Sequence, residues 1–265
     1  MPQPSPMFLQ KPFSLAHARS MFGGSDPKKL ALLLKNMPFN YGYVETEFGG
    51  AIVAADWTTA VTAGGGPTAF AYAAVRGGVA QGATGTTDND ATAIYRAQTF
   101  LDPGDFPFMI IRWTVNTITG FSFEVGFSDP KTDEALPGVT DVDGPTIGNG
   151  ATDILCVHMD TDQTLTTASL VGDGTTGAAA KTDIGTYTPS AAVPQTMIIG
   201  LRPNIGFCAI WDGDGSVGNI IYSVSNGPDT GVLVRPYALF RTRNTASKTI
   251  NIDYIGFGWE RSMTL

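Results

Sequence analysis

Short runs of hydrophobic residues, separated by clusters of glycine, proline, aspartate and asparagine, fill the chain from Ala51 onward. Runs of this length between turn residues are typical of strands in β-sandwiches and barrels. About a dozen segments fit the pattern. The ten clearest predicted strands are 68–76, 92–98, 106–116, 121–128, 153–158, 196–202, 205–211, 220–225, 233–242 and 249–260.

Strict alternation of apolar residues marks several of these segments. It is clearest at Phe121, Phe123, Val125 and Phe127. Alternate residues of a strand point to the same face, so we expect this set to face a core. In the last segment the inward set is predicted to be Ile250, Ile252, Tyr254 and Phe257, with an irregularity at Gly256.

No segment after Asn40 combines a helical period with capping residues, which argues against strands and helices alternating around a parallel sheet. A length of 265 residues suits one β-sandwich with an appendage. We therefore predict an all-β protein. Its main domain, 51–265, is expected to be a two-sheet antiparallel jelly-roll sandwich behind an N-terminal arm, 1–50.

The N-terminal arm has its own pattern. Pro2, Pro4 and Pro6 remove backbone donors and favour an extended path. A short helix is predicted over 14–22, and a better one over 27–36, where Asp26 is the N-cap. The second helix is apolar on nearly every side from Leu30 to Leu34, so it needs a packing partner. The residues predicted to contact neighbouring subunits are Pro4, Phe8, Phe13, Leu30, Leu33 and Leu34.

Charge is sparse and negative along the chain. Only 15% of residues are charged, and the formal net charge is −8. Binding of nucleic acid or of an anionic membrane requires clustered basic residues, so neither partner is expected. The close basic pairs Lys28–Lys29 and Arg241–Arg243 are predicted to be ordinary solvated charges. A surface so thinly charged is consistent with partial coverage by neighbours.

The two cysteines, Cys156 and Cys208, lie in apolar strand-like runs and are predicted to be free buried thiols. The apolar run from Leu30 to Leu34 is too short for a signal peptide, and no segment reaches the ~20 apolar residues of a membrane helix. The protein is therefore expected to be made in the cytoplasm without a secretion signal.

Two segments, 172–177 and 213–218, match the spacing G-x-G-x-x-G. A dinucleotide site needs these glycines to open a helix, and Asp173 or Asp214 would repel phosphate. Both segments are therefore predicted to be turns.

Pairs of aspartates with one residue between them recur at four places. Asp212 and Asp214 form the best candidate calcium site among them. The spacing of an EF-hand fails there, because Val217 stands where glycine is required. Aspartate also caps turns through its own backbone, and this explanation stays open for every pair. No other cofactor is predicted.

No arrangement of residues predicts catalysis. His158 is the one histidine within the strands, and no G-x-S-x-G segment presents a nucleophile beside it. Glu124 lies on a suitable strand for glycoside hydrolysis but lacks acidic neighbours two and five residues away. Four tryptophans could stack on a sugar or fill the core, and core packing is the expected role. They are Trp57, Trp113, Trp211 and Trp259.

The order of these features resembles the concanavalin A-like, or laminin-G-like, jelly rolls found in many tailed-phage particle proteins. The segments that carry the resemblance, within about 51–261, are 77–82 before 88–90, then 121–129, 209–213 and 250–255. In lectin members of this group, loop residues hold calcium and sugar, and this sequence shows no convincing equivalents. Phage decoration proteins of this type are similar in having a compact β body and an anchoring terminal segment.

The resemblance and the arm together imply a non-enzymatic virion structural protein, a capsid decoration or cement subunit. Its expected location is the virion, and its expected partners are the major capsid protein, other virion proteins and further copies of itself. A carbohydrate-binding adhesin of the tail or cell surface is one alternative. A jelly-roll glycan hydrolase that uses Glu124 is another.

Overall fold

The structure is a computed structural model that describes residues 41–48, 50–52, 56–64, 66–75, 78–98, 100–136, 138, 151–161, 168–175, 179–184, 187–203, 205–213 and 217–260. Fifteen strands occur in these ranges. They are β1 (Tyr41–Glu47), β2 (Trp57–Val61), β3 (Thr68–Ala73), β4 (Val79–Ala83), β5 (Ala91–Arg96), β6 (Phe108–Val115), β7 (Phe121–Ser128), β8 (Ile154–Asp160), β9 (Ser169–Asp173), β10 (Ala180–Asp183), β11 (Gln195–Arg202), β12 (Ile205–Asp212), β13 (Val217–Ser225), β14 (Arg235–Thr242) and β15 (Thr249–Glu260). A single 3-10 turn, Pro103–Asp105, precedes β6.

The strands form two antiparallel sheets. The eight-stranded sheet has the order β13-β12-β11-β6-β15-β4-β3, with β1 added beside β15. The seven-stranded sheet has the order β10-β9-β8-β7-β14-β5-β2. The predicted all-β sandwich is confirmed, and each of the ten predicted strands overlaps an observed one.

The long strand β15 organises the eight-stranded sheet. It pairs with β6 along one edge, while β4 and then β1 share the other edge. The indole Nε1 of Trp57 donates to Thr46 Oγ1 at 2.9 Å, and Phe48 is buried in the core. Residues 41–48 therefore belong to the sandwich, not to the N-terminal arm in which the sequence analysis placed them.

The core lies between the two sheets and is rich in aromatic rings. Trp113 of β6 faces Phe123 and Phe240 of the opposite sheet, with ring centroids 5.2 Å apart in both pairs. The alternating residues Phe121 to Phe127 all face this core, as predicted. Burial of each large apolar side chain stabilises the fold by roughly 1.5–3 kcal/mol.

The irregularity in β15 lies at Asp253, not at Gly256 as predicted. The pairing with β6 shifts between Ile252 and Tyr254, so one extra residue is accommodated there. The shift reverses which side chains face inward, so Ile255 rather than Tyr254 joins the core between the sheets. The Asp253 carboxylate accepts hydrogen bonds from Arg112, with 2.8 Å to Nε.

The described residues also bear on the predictions for the cysteines and tryptophans. Cys156 and Cys208 are buried thiols that form no disulfide, as predicted. Trp57 and Trp113 are core residues, whereas Trp211 and Trp259 are half-buried. The helices predicted over 14–22 and 27–36 lie outside the described residues. No helix in the described ranges has the length and hydrophobicity of a membrane span.

Candidate functional site

The outer face of the seven-stranded sheet, which points away from the other sheet, is buried at the middle strands. Every residue of β7, β8 and β14 is buried, including those that alternate with the core set. In an antiparallel sandwich one face of a sheet commonly meets solvent and is polar. Here the outward residues are covered, and they comprise an apolar cluster around Ile154, Cys156 and Leu239 together with several polar side chains.

Cross-strand register brings these polar residues together. Ser122 of β7 lies opposite Asp160 of β8 and Arg241 of β14. Glu124 lies opposite His158. Residues directly opposite one another point to the same face. We call the outward set the polar patch, which consists of Ser122, Glu124, His158, Asp160, Tyr237 and Arg241.

Glu124 has well-defined partners although its side chain is fully buried. Its Oε2 accepts a hydrogen bond from the Tyr237 hydroxyl and another from the Gly138 backbone N–H, both at 2.9 Å. Burial of a carboxylate without such donors is strongly unfavourable. The two donors therefore hold Glu124 in a fixed position.

The loop after β7, residues 129–136 with Gly138, covers one end of the polar patch. Lys131 Nζ lies 4.5 Å from the centre of the Tyr237 ring and donates to the Leu136 carbonyl at 3.1 Å. Glu134 forms an ion pair with Arg235. These contacts close the loop over Glu124 and Tyr237. We call this loop the covering loop.

Asp160 lies at the other end of the polar patch, between two arginines. Its carboxylate accepts from Arg241 Nη2 at 3.0 Å and from Arg243 Nε at 2.8 Å. Arg243 also donates to Asn89 Oδ1. The prediction that Arg241 and Arg243 are solvated charges is therefore wrong. The pairing with Asp160 depends on strand register, which cannot be read from the local sequence.

His158 lies between these two groups and has an unusual environment. Its side chain is 1% exposed, and neither ring nitrogen has a hydrogen-bond partner in the described part of the chain. Burial lowers the pKa of His158, although Glu124 and Asp160 act in the opposite direction. The imidazole is therefore neutral near pH 7.

The chemistry of the polar patch does not match a nucleophilic site. His158 makes no hydrogen bond to Ser122 or Asp160, so the three residues do not form a catalytic triad. Burial raises the pKa of the Cys156 thiol well above its usual range and does the same for the Tyr237 hydroxyl. Both groups are protonated at neutral pH, and a protonated thiol is a poor nucleophile.

Only one of the two predicted calcium residues lies in the described part of the chain. Asp212 is the last residue of β12, and Asp214 lies outside the described residues. Gly213, at φ 68°, donates its N–H to the Pro194 carbonyl at 2.8 Å, which extends the pairing of β12 with β11 by one residue. Within the described ranges no group of three or more His, Cys, Asp or Glu side chains is arranged to hold a metal. The calcium site stays a prediction.

The other motifs from the sequence fall in strands and turns. Asp90 Oδ2 accepts from the Thr87 N–H at 3.0 Å, which is the turn-capping role expected for an aspartate pair. Gly172 and Asp173 end β9, and Val217 begins β13, so neither glycine-rich segment opens a helix in the described ranges. The predicted assembly contacts Pro4, Phe8, Phe13, Leu30, Leu33 and Leu34 lie outside the described residues.

Neither a family model nor a curated protein matches the sequence. Solved structures do match the fold. A protein of unknown function from Shewanella oneidensis MR-1 is 13% identical over 91% of this chain and 96% of its own, with a TM-score of 0.58. Peanut lectin is 9% identical over 82% of this chain and 97% of its own, with a TM-score of 0.53. The lumenal domain of VIP36, bound to Ca²⁺ and Man2, is 8% identical over 84% of this chain and 89% of its own, with a TM-score of 0.50.

These likenesses define the fold class. The chain has the concanavalin A-like sandwich of the legume lectins, as the sequence resemblance implied. At identities of 8–13% the comparison establishes the architecture alone.

Proposed function

We propose that the chain is a non-catalytic structural protein of a tailed-phage particle, a capsid decoration or cement subunit. In this proposal it contacts its neighbours through one side of the sandwich and through its N-terminal segment. The observation that carries the proposal is an uncharged, partly apolar side on an acidic protein.

That side is formed by two edge strands. β2 ends the seven-stranded sheet and β3 ends the eight-stranded sheet, and the two strands lie against each other. No Asp, Glu, Lys or Arg occurs from Trp57 to Val75. Val61, Tyr72 and Val75 are 38%, 40% and 51% exposed. We call β2, β3 and the residues after β3 as far as Val75 the uncharged edge.

An edge strand offers unpaired backbone groups to other proteins, and soluble proteins usually protect such edges with charged side chains. The uncharged edge lacks this protection over its whole length. The chain carries a net charge of −8, which disfavours close approach of two copies at negatively charged surfaces. At the uncharged edge a neighbour can approach without like-charge repulsion, which supports contact with a protein partner there.

Two further features support a structural role over a catalytic one. The polar patch is buried, so substrate has no direct access to it. The sequence of the N-terminal segment is rich in proline and leucine and is typical of an extended arm. Such a segment gains order by lying on another surface. That the assembly is a phage particle is proposed from the sequence resemblance to phage particle proteins.

The test is binding of the purified full-length chain to particles that lack it. Wild-type chain is expected to cosediment with the particles. The double variant Tyr72→Lys/Val75→Lys places two charges on the uncharged edge, so we expect its binding to fall at least tenfold. Deletion of residues 1–24 is expected to abolish binding while the sandwich stays folded by circular dichroism.

A matched control is Leu233→Lys, since Leu233 is 47% exposed and lies outside the uncharged edge. This variant should bind like the wild type. Unchanged binding of both the double variant and the deletion would refute the proposed contacts.

Carbohydrate binding is a second candidate. The specific observation in its favour is that Ser122, His158 and Arg241 bury polar atoms with no partner in the described part of the chain, because sugar hydroxyls satisfy such atoms. Peanut lectin and the Man2-bound domain of VIP36 share the fold. Because the patch is buried, a sugar could reach it only if the surrounding chain moves.

A glycan array separates the two candidates. Binding that disappears with a chelator and in Asp212→Ala would favour a lectin that uses the predicted calcium site. No binding to any glycan, together with particle binding, is the outcome that the structural role predicts.

A further inference from the structure

Three side chains of the polar patch bury polar atoms that have no hydrogen-bond partner in the described part of the chain. They are Ser122 through Oγ, His158 through both ring nitrogens, and Arg241 through Nε. Ser122 and His158 are at most 1% exposed, and Arg241 is 6% exposed. Buried polar atoms are almost always hydrogen-bonded in folded proteins. Their grouping on one face calls for an explanation.

Strand register places the three groups around one region. Ser122 lies directly opposite Arg241, and His158 lies opposite Glu124, the next outward residue of β7 after Ser122. Ser122 and His158 are therefore diagonal neighbours, about 7–8 Å apart at their Cα atoms. Arg241 lies two strands from His158, and its side chain crosses β7 to reach Asp160 of β8 at 3.0 Å. One or two oxygen atoms, each about 2.8 Å from its partners, can bridge these side chains.

The other buried polar atoms without partners lie elsewhere in the described residues. The Arg96 guanidinium packs over the rings of Trp57 and Phe257, at 5.9 and 5.5 Å from their centres. Its Nη2 also forms an ion pair with Asp56 at 2.7 Å, so the charge of Arg96 is compensated. Trp113 and Thr196 belong to the eight-stranded sheet, on the other side of the core. Only the group in the polar patch brings several of these atoms together, among the residues that the structure describes.

The charges around the group favour a neutral occupant. The Asp160 carboxylate is already paired with Arg241 and Arg243. Glu124 accepts two hydrogen bonds from uncharged donors and would repel an anion. A cation would meet the two arginines. Neutral His158 has one donor and one acceptor nitrogen, and a hydroxyl group matches both kinds.

We infer that Ser122, His158 and Arg241 form a closed site for a small neutral hydroxylic molecule, held between the Asp160 ion pairs and Glu124. The shared chemistry is an O–H group that donates to one ring nitrogen of His158 and accepts from Arg241 Nε. Ordered water and a small polyol both supply it. This site is independent of the proposed particle role, because its residues lie outside the uncharged edge.

The direct test is an atomic-resolution crystal structure of the full chain, from crystals grown without polyol and from crystals soaked in glycerol. Density for an oxygen within about 2.7–3.2 Å of at least two of the three groups is expected in the first crystal. Replacement of that density by glycerol in the second crystal identifies a polyol site. Unchanged density identifies a water site. No density, or side chains that pair directly with protein groups, would overturn the inference.

Thermal unfolding of Ser122→Ala gives a second test that does not need crystals. If a hydroxylic molecule bridges Ser122, the variant loses a satisfied hydrogen bond, and we expect Tm to fall by roughly 2–4 °C. If Oγ is truly unpaired, removing it relieves a buried polar group, and Tm should stay constant or rise. Thr196→Val is the matched control, since it removes a single isolated hydroxyl. Its Tm should not fall.

Discussion

The carboxylate of Asp160 is buried between the guanidinium groups of Arg241 and Arg243. Charges removed from water lose hydration energy, and a buried pair is tolerated because the partners compensate each other. When one partner is removed, the other charge stays buried without compensation. The cost of a substitution at Asp160 is therefore set mainly by the arginines that remain.

Asp160→Asn keeps the size of the side chain and removes its charge. We expect it to lower the free energy of unfolding by about 3–5 kcal/mol, measured by urea denaturation. Asp253→Asn is the matched control, because the Arg112–Asp253 pair is about one-third exposed. Exposed pairs contribute about 1 kcal/mol or less. Equal losses in the two variants would show that the Asp160 pairs are no stronger than surface ones.

We expect His158 to make the stability of the folded protein depend on pH. Burial lowers the pKa of His158 in the folded protein below its ordinary value of 6.5, with Arg241 and Arg243 adding to the effect against Glu124 and Asp160. Below pH 6.5 the unfolded chain therefore binds a proton that the folded chain does not. Stability falls as pH decreases from 6.5 towards the lowered pKa.

Comparison of the wild type with His158→Gln isolates this contribution. Urea denaturation between pH 7.5 and pH 5, values that bracket the ordinary histidine pKa of about 6.5, should show a steeper loss of stability in the wild type. The other histidine, His17, is present in both proteins. Parallel curves for the two proteins would contradict the assigned pKa direction.

Strands β7 and β8 approach closely at Gly126. A Cβ atom added there would lie 2.0 Å from the Leu155 carbonyl oxygen and 2.8 Å from Cys156 Cα. Both are backbone atoms of β8, so the clash cannot be relieved by turning a side chain. Gly126 therefore sets the spacing of the two strands that hold Glu124 and His158.

Gly126→Ala is expected to destabilise the protein by about 1–3 kcal/mol or more, because the strands must separate. Thermal or urea unfolding measures the effect. Gly50→Ala is the control, since a Cβ at Gly50 meets no atom within 4 Å. Its effect should stay within about 0.5 kcal/mol. A neutral Gly126→Ala would mean that β7 and β8 are not held as closely as described.

Ten of the strands could be predicted because their apolar residues alternate or form dense runs, as in β7. The missed strands have weaker signals. β4 (Val79–Ala83) and β10 (Ala180–Asp183) contain small or charged residues that rarely favour strands on their own. β1 follows a segment rich in proline and leucine, and only its pairing with β15 identifies it.

The polar patch could not be predicted in the same way. Glu124, His158 and Arg241 come from three strands, and their proximity depends on pairing register. A usable signal was present nonetheless. These charged or polar residues interrupt the most apolar strands of the chain at outward positions, and all of them are buried. The signal is in β8, where the run Ile154–Met159 is apolar on both faces except at His158. Such a run is typical of a strand covered on both sides, so a polar residue within it indicates an internal network.

At the scale of the whole molecule, the middle of the seven-stranded sheet is buried on both faces, and one side of the sandwich lacks charged residues. Both faces of the seven-stranded sheet are covered at β7, β8 and β14, so the sandwich offers no open cleft there. The uncharged edge lies at the far side of that sheet, beyond β5. A protein built in this way is suited to act through its surfaces. This is the physical basis for the proposed role in a particle.

Electron cryomicroscopy of the intact particle is the most direct test of that role. If the chain decorates the shell, density for the sandwich is expected at regular positions on it, with β2 and β3 facing a neighbouring subunit. Particles that contain no copy of the chain, or copies whose uncharged edge faces solvent at every position, would contradict it.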